Sequence, residues 1–437
     1  MYNRNLVTEE KLAFLKEKRQ TMLDKHLREM AEKYSPETAD AIKYLYRLYD
    51  ERIYLWLADL WDPEIGAFYY SNSARDTEGY LPDIESTCQA IAFLQHTGLY
   101  SSLGGTLDSY TPEFMKKKIV DFVISLQDED GYFYHPQWGK DVGTSRRSRD
   151  LSWCTDTLLT MGGKAKYTTP LDKGKSEAKD LLPEHLRSVE AFKSYIGELD
   201  LYNRSYWVGN LISSQVRQIR AAGHEFEDVL IDWYNSNQCK ENGLWNPEIS
   251  YHSVNGLMKI TMAYQGLSKP LPNAEAAFRS CVKVICNKTN NPQITSHYNP
   301  WITMSMILSN VNSFGDPALA ESLKSEMTEK LPEMIRATAD KVQAFQKADG
   351  SFSYKPEGSS YHSQGAPVAV PFTAEGDVNG NSLASSGIAA HIASSLGIPR
   401  IPFYTEEDSK FFFELIESAS QSKKRYPRPE KMIPDKS

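Results

Sequence analysis

The chain has 437 residues, 41% hydrophobic and 24% charged, and its 57 acidic against 49 basic side chains give a formal net charge of −8. That is ample material for a packed core, and the acidic balance excludes a phosphate-neutralising groove as the main surface, so no DNA or RNA partner is expected. The five cysteines, Cys88, Cys154, Cys239, Cys281 and Cys286, are scattered with no CxxC pair, which predicts packed, reduced thiols; no metal and no other cofactor is expected.

In chain order, residues 1–37 form an N-terminal segment whose stretch 8–33 has the spacing of an amphipathic helix. Charges recur every few residues there with no apolar leader-like core. No later stretch approaches a membrane span, so a cytoplasmic protein with no membrane partner is expected. From 38 to 418 helical periodicity dominates, and strand-like alternation is confined to scraps beside glycine. One-faced amphipathic stretches lie near 38–59, 111–127, 183–198, 224–238, 272–287 and 326–346. In the second of these, Thr111 and Pro112 open the helix, and Phe114, Ile119, Phe122, Val123 and Leu126 fall opposite Lys116, Lys117 and Lys118. Each is followed by a stretch apolar on nearly all sides, near 84–97, 150–162, 206–222, 252–267, 299–313 and 380–396.

A helix that is apolar all round belongs in an interior. An exposed-type helix followed by a buried-type helix, repeated along the chain, is an internal repeat of αα-hairpins. Stacked in a ring, such hairpins give an inner barrel wrapped by an outer one. The expected fold is therefore all-α, an (α/α)6 toroid with short β-ribbons in its rim loops; an open solenoid capped by 8–33 is the alternative. Residues 401–418 read as a closing helix, and the basic, proline-rich stretch 419–437 as a flexible tail.

Four junctions between the two helix kinds share a phrase: "WDPEIGAFYY" at 61–70, "QDEDGYFYH" at 127–135, "QCKENGLWNP" at 238–247 and "QKADGSFSY" at 346–354. Asp-Gly and Asn-Gly pairs turn a chain because glycine takes positive φ without strain. The pattern Gln127-x-x-Asp130-Gly131-x-Phe133, repeated at Gln346, Asp349, Gly350 and Phe352, resembles the repeats of the terpenoid cyclase and protein prenyltransferase superfamily of α/α toroids. That resemblance implies the fold. "EGDVNGNSLASSGIA" at 375–389 resembles the class II cyclase stretch whose Asp-x-Asp-Asp opens an inner helix. Asp377 matches its first aspartate, but Asn379 and Gly380 stand where the protonating acid and its neighbour belong. Neither a DDxxD run nor a prenyltransferase zinc motif is present. "NGLWNPEISYHSVNGLMKITMAY" at 242–264 is similar in layout to toroid enzymes that cut uronic-acid oligosaccharides, such as unsaturated glucuronyl hydrolases.

The loops that open the buried helices are rich in reactive side chains. They supply Asp83 and Glu85; Arg146, Arg147, Arg149 and Asp150, with Trp153 behind; Asn203, Arg204 and Trp207; and Trp245, Glu248, Tyr251 and His252. His297, Tyr298, Asn299 and Trp301 follow, then Tyr361, His362 and Asp377. In a toroid these loops face one cleft, the usual place for a ligand. Three arginines in four residues suit an anion, and the tryptophans suit sugar platforms or rim packing.

The expected activity is that of a lyase or glycoside hydrolase on an acidic, uronate-containing oligosaccharide. In β-elimination an Arg or Asn neutralises the sugar carboxylate while Tyr251, His252, His297 or Tyr298 moves protons. In hydrolysis two of Asp83, Asp150, Glu248 and Asp377 act as acid and base. Each aspartate directly before a helix is equally suited to capping it. An isoprenoid-binding or cyclase-like toroid and a non-catalytic binding toroid are the other readings.

Overall fold

The structure is a computed structural model that describes residues 1–100, 109, 111–172 and 180–420, so the expected tail beyond 420 lies outside the described residues. The chain is mostly helical. Helix α1 (Glu9–Lys33) is capped by Thr8 and leads into α2 (Pro36–Tyr46) and α3 (Glu51–Asp59). The ribbon of β1 (Trp61–Asp62) and β2 (Ala67–Phe68) and the short α4 (Asn72–Asp76) precede α5 (Ile84–Thr97). Then come α6 (Glu113–Ser125), α7 (Thr144–Thr160), α8 (Val189–Gly197), α9 (Ser205–Ala222), α10 (His224–Asn237) and α11 (Tyr251–Gly266). After them run α12 (Ala274–Cys286), α13 (Thr295–Phe314) and α14 (Pro317–Val342). A second ribbon, β3 (His362–Ser363) with β4 (Ala366–Pro367), precedes α15 (Val378–Ser382), one π-helical turn (Leu383–Gly387), α16 (Ile388–Leu396) and α17 (Glu406–Glu417).

The two kinds of helix seen in the sequence occupy two environments. α11, apolar on every side, buries Tyr251 and nearly every residue from Ser253 to Tyr264. α6, with its lysine face, buries only Met115, Ile119, Phe122 and Val123. Among the buried-type helices α5 packs on α7, α7 on α9, α9 on α11, α11 on α13, and α13 on α16; the contacts then return from α15 to α5.

These neighbours run parallel, because their N-terminal turns meet one another and so do their C-terminal turns. Arg149 near the start of α7 reaches Asn210 near the start of α9, and Asn255 of α11 reaches Ser296 of α13. At the other end Arg220 of α9 donates to the Gly266 carbonyl of α11, and Asn310 of α13 donates to Gln265. Parallel neighbours require a return helix between them, which is what α6, α8, α10, α12 and α14 provide.

The repeated phrase stitches successive pairs together. Gln127 donates to the Tyr167 carbonyl at 3.0 Å, Gln238 to the Pro272 carbonyl at 2.9 Å, and Gln346 to the Leu48 carbonyl at 2.8 Å. Each side chain thus holds the backbone leading toward a following exposed-type helix, and Gln346 carries that rule from the end of the repeat to its beginning. Gly131 sits at φ +80°, and a Cβ there would collide with the Thr168 carbonyl. At the matching corner Gly350 lies against Arg52 of α3. α14 packs on α2 in the same place, with Tyr44 donating to Asp340 and Arg47 to Gln343.

Several boundaries differ from the sequence reading. The stretch 38–59 is two helices, because Asp50 breaks the run and caps α3 through the Arg52 amide. α7 starts at Thr144 rather than near 150, and it does so without a side-chain cap; the buried ion pairs of Arg146 hold its first turn instead. The stretch 380–396 is interrupted by the π turn, where a Cβ on Gly387 would strike the Tyr298 ring. α1 docks on α2 and is tied by the buried Arg19, which bridges Asp408 of α17 and Glu51.

Candidate functional site

The parallel arrangement brings the N-terminal ends of α5, α7, α9, α11, α13 and α15 to one end, where their free amides and dipoles favour negative charge. Asp83 caps α5 through the Glu85 and Ser86 amides, and Asp377 caps α15 through the Gly380 amide at 2.7 Å. Ser250 caps α11 in a reciprocal box with Ser253.

At this end Arg146 is fully buried and lies between three carboxylates: Asp83 at 3.1 Å, Glu85 at 2.9 Å and Asp150 at 2.9 Å. Its guanidinium lies 4.9 Å over the Trp138 ring, which stacks on His135 at 4.0 Å. His135 is neutral: its Nε2–H donates to the Pro82 carbonyl, its Nδ1 accepts from the Gln137 amide, and burial lowers its pKa to about 4. Burial opposes ionisation of Asp83, but Arg146 and the Ser86 hydrogen bonds outweigh it and hold the carboxyl below its ordinary range. Asp150, with Arg146 as its one strong partner, is pushed up by burial to about 7.

The tip of the β3–β4 hairpin covers this cluster. Ser363 donates its hydroxyl to Glu85, and Gln364, at φ +50°, accepts from Ser145 at 3.0 Å and Asn210 at 2.8 Å.

Arg149, one turn beyond Arg146, is half-buried, donates to Asn210 and Ser214, and lies 5.7 Å from the Trp153 ring. Beside it the charges of Arg149 and Glu85 act on both Lys259 and Tyr206, and those of Asp377 and Glu85 act on Tyr354. Lys259 is 8% exposed, and its amine forms no hydrogen bond or ion pair among the described residues. Side-chain amides near the starts of α11, α13 and α15 are also unmatched: the Asn255 and Asn381 side-chain oxygens and both side-chain polar atoms of Asn299 are buried without a partner. Such groups are rare in a packed interior and are met by ordered water or by a polar ligand.

Asp377 has its oxygens on the Gly380, Tyr354 and Ser360 amides, yet burial raises its carboxyl to about 7.

The sequence-derived candidates divide accordingly. Asp83, Asp150, Asp377, Arg149, Trp153 and Asn299 stand at the common end. Arg147 turns away to lie over Tyr132 at 5.3 Å. Arg204 stacks on the exposed Trp207 at 4.3 Å, and Glu248 and His252 are exposed; His252 meets the Tyr206 ring edge at 6.5 Å. Trp245 and Trp301 belong to the core, because Trp245 donates to the Tyr234 carbonyl and Trp301 to Thr338 of α14. Tyr251 donates to the Thr289 carbonyl, and its ring meets His297, which is buried against Phe345; both lie between helices. Tyr298 bonds His391 at 3.1 Å across to α16. Tyr361, His362 and the exposed Phe372 make an aromatic patch on the hairpin.

Sequence reasoning missed Lys259, Tyr206, Tyr354, Asn210 and Gln364. Lys259 had a signal: it is a lone charge inside "GLMKITMAY", a helix otherwise apolar on every side. Tyr354 ends the repeated phrase itself.

Among the described residues no group of His, Cys, Asp and Glu side chains could hold a metal ion, and no helix is long and apolar enough to cross a membrane. A groove of about 620 Å³ lies elsewhere, between α1 and Pro402–Glu407, and carries none of the candidate residues. No protein-family model, no curated protein and no solved structure matches this chain.

Proposed function

We propose that the helix pairs close into an (α/α)6 toroid and that the end where the inner helices begin is the active site of a β-eliminating lyase for uronate-containing oligosaccharides. Closure is supported by the contact of α15 with α5 and by the Gln346–Leu48 bond between the last and first repeats. One observation carries the activity: the centre is buried yet polar, with Glu85, Arg149, Tyr206, Lys259 and Tyr354 within reach of one another's charges and the Asn299 amide unmatched.

In this reading Arg149 neutralises the sugar carboxylate, which acidifies the adjacent C–H. Tyr206 is assigned that proton: burial holds its phenol above the ordinary range, and the charge of Arg149 beside it works against that rise. The C–H electrons form the new double bond as the C–O bond to the leaving sugar breaks. Tyr354, whose proton is held chiefly by burial and by the neighbouring Tyr206, protonates the leaving oxygen. Hydrolysis by two carboxylates is less favoured, because Asp83 and Asp377 have committed their oxygens to amides and Arg146. An isoprenoid chamber is also less favoured, because the groups that meet at this end, Glu85, Arg149, Tyr206, Lys259 and Tyr354, are polar and titratable.

The test is incubation with oligo-uronates. Elimination raises ultraviolet absorbance through the new double bond conjugated to the carboxylate, and Tyr206→Phe lowers the rate roughly 10²- to 10⁴-fold. New reducing ends without that absorbance mean hydrolysis, and no turnover of any uronate overturns the reading.

A further inference from the structure

Lys259 is buried and unpaired in the middle of α11, and nothing in the proposed proton transfers uses it. Its stem lies against Gly209 of α9, where a Cβ would stand 2.9 Å from the Lys259 Cβ, so this glycine makes room for it. One turn earlier Asn255 reaches Ser296 of α13; one turn further along both helices stand Lys259 and the unmatched Asn299. The charged groups that act on the amine are Arg149 from α7 and Glu85 from α5. Glu85 is already engaged by Arg146 and Ser363, which leaves Lys259 without a counter-ion of its own. Burial, with the like charge of Arg149 added, pushes its pKa well below the usual lysine range.

We propose that Lys259 and Arg149 form a carboxylate-binding pair in which Lys259 takes up a proton from solvent as the anion binds. An arriving carboxylate supplies the missing counter-ion, so the ammonium becomes the favoured form and the proton stays with the complex. Asn299 offers the anion or a neighbouring hydroxyl its free N–H groups. The proposal rests on the uronate reading for the ligand class, but it concerns binding alone.

The experiment is titration calorimetry of the whole chain with glucuronate, and with glucose as the neutral control, in buffers of different ionisation enthalpy at neutral pH. The wild type is expected to bind glucuronate with net proton uptake and to bind glucose with none. Lys259→Met removes the uptake and weakens glucuronate binding roughly 10- to 100-fold, the worth of a charge-assisted bond. Its melting temperature is expected to be no lower than that of the wild type, since an apolar chain of similar shape replaces an unpaired amine. Lys259→Arg is always charged and should bind without proton uptake, which a packing role cannot explain. Wild-type binding without uptake, or uptake that survives in Lys259→Met, overturns the pair while leaving the elimination reading intact. Failure to bind glucuronate while oligo-uronates are still cleaved does the same, and the absorbance assay reads the elimination separately.

Discussion

At the scale of single residues, the site is organised by Arg146, which has no exposed surface and serves three carboxylates at once. Breaking such a cluster costs more than making it gains, because the unpaired charges stay buried. Arg146→Met is therefore expected to lose roughly 3–5 kcal/mol in denaturant unfolding. Arg149→Ala, which removes only neutral hydrogen-bond partners, should change stability by about 1 kcal/mol and abolish the stabilisation that an added uronate gives in thermal shift. Unchanged uronate stabilisation in Arg149→Ala would remove this arginine from the site. The cluster "SRRSRD" announced an anion-binding or ion-paired loop from the sequence. Which arginine is internal, which reaches Asn210 and which lies on Tyr132 depends on how α7 is rotated against α5 and α9.

At the scale of elements, the corner phrase performs two jobs that the sequence suggested only in part. Its glycine turns the chain, as expected from Asp-Gly; its glutamine clamps a neighbouring repeat, which no local pattern specifies. Gly131→Ala and Gly139→Ala separate the contributions. Both positions have positive φ, but Gly139 has open space around it while Gly131 faces the Thr168 carbonyl. Gly139→Ala should cost roughly 1–2 kcal/mol for backbone conformation, and Gly131→Ala roughly 1–3 kcal/mol more for crowding, read from paired unfolding curves. Gln346→Ala should cost roughly 1–3 kcal/mol by leaving the Leu48 carbonyl unmatched. Equal losses for the two glycine variants would show that the corner yields without strain.

At the scale of the whole molecule, pH dependence follows from which groups are buried in which form. His96, His135 and His297 have pKa values lowered to about 4 and His391 to about 3, mainly by burial, with smaller lowering at His185 and His362. Between pH 4 and 6.5 the unfolded chain binds protons that these folded histidines refuse, so they make stability rise with pH. Asp150 and Asp377, raised to about 7, and Asp59 and Glu375, raised less, act in the opposite direction. The lowered histidines, together with Lys259, outnumber the raised carboxylates, so stability should fall on acidification through this window. Asp377→Asn, which deletes one opposing group, should steepen that fall by about 1.4 kcal/mol per pH unit; an unchanged slope in urea titrations would contradict the protonated assignment. The amino-acid order alone determined the helical character, the alternation of exposed and buried helices and the turning corners, because hydrophobic periodicity and glycine conformation are local properties of the chain. The partners of Arg146, the isolation of Lys259 and the removal of Trp245, Trp301 and His297 into the core were decided only by tertiary structure. They depend on the rotation of parallel helices against one another, and contacts between residues tens to hundreds of positions apart set that rotation.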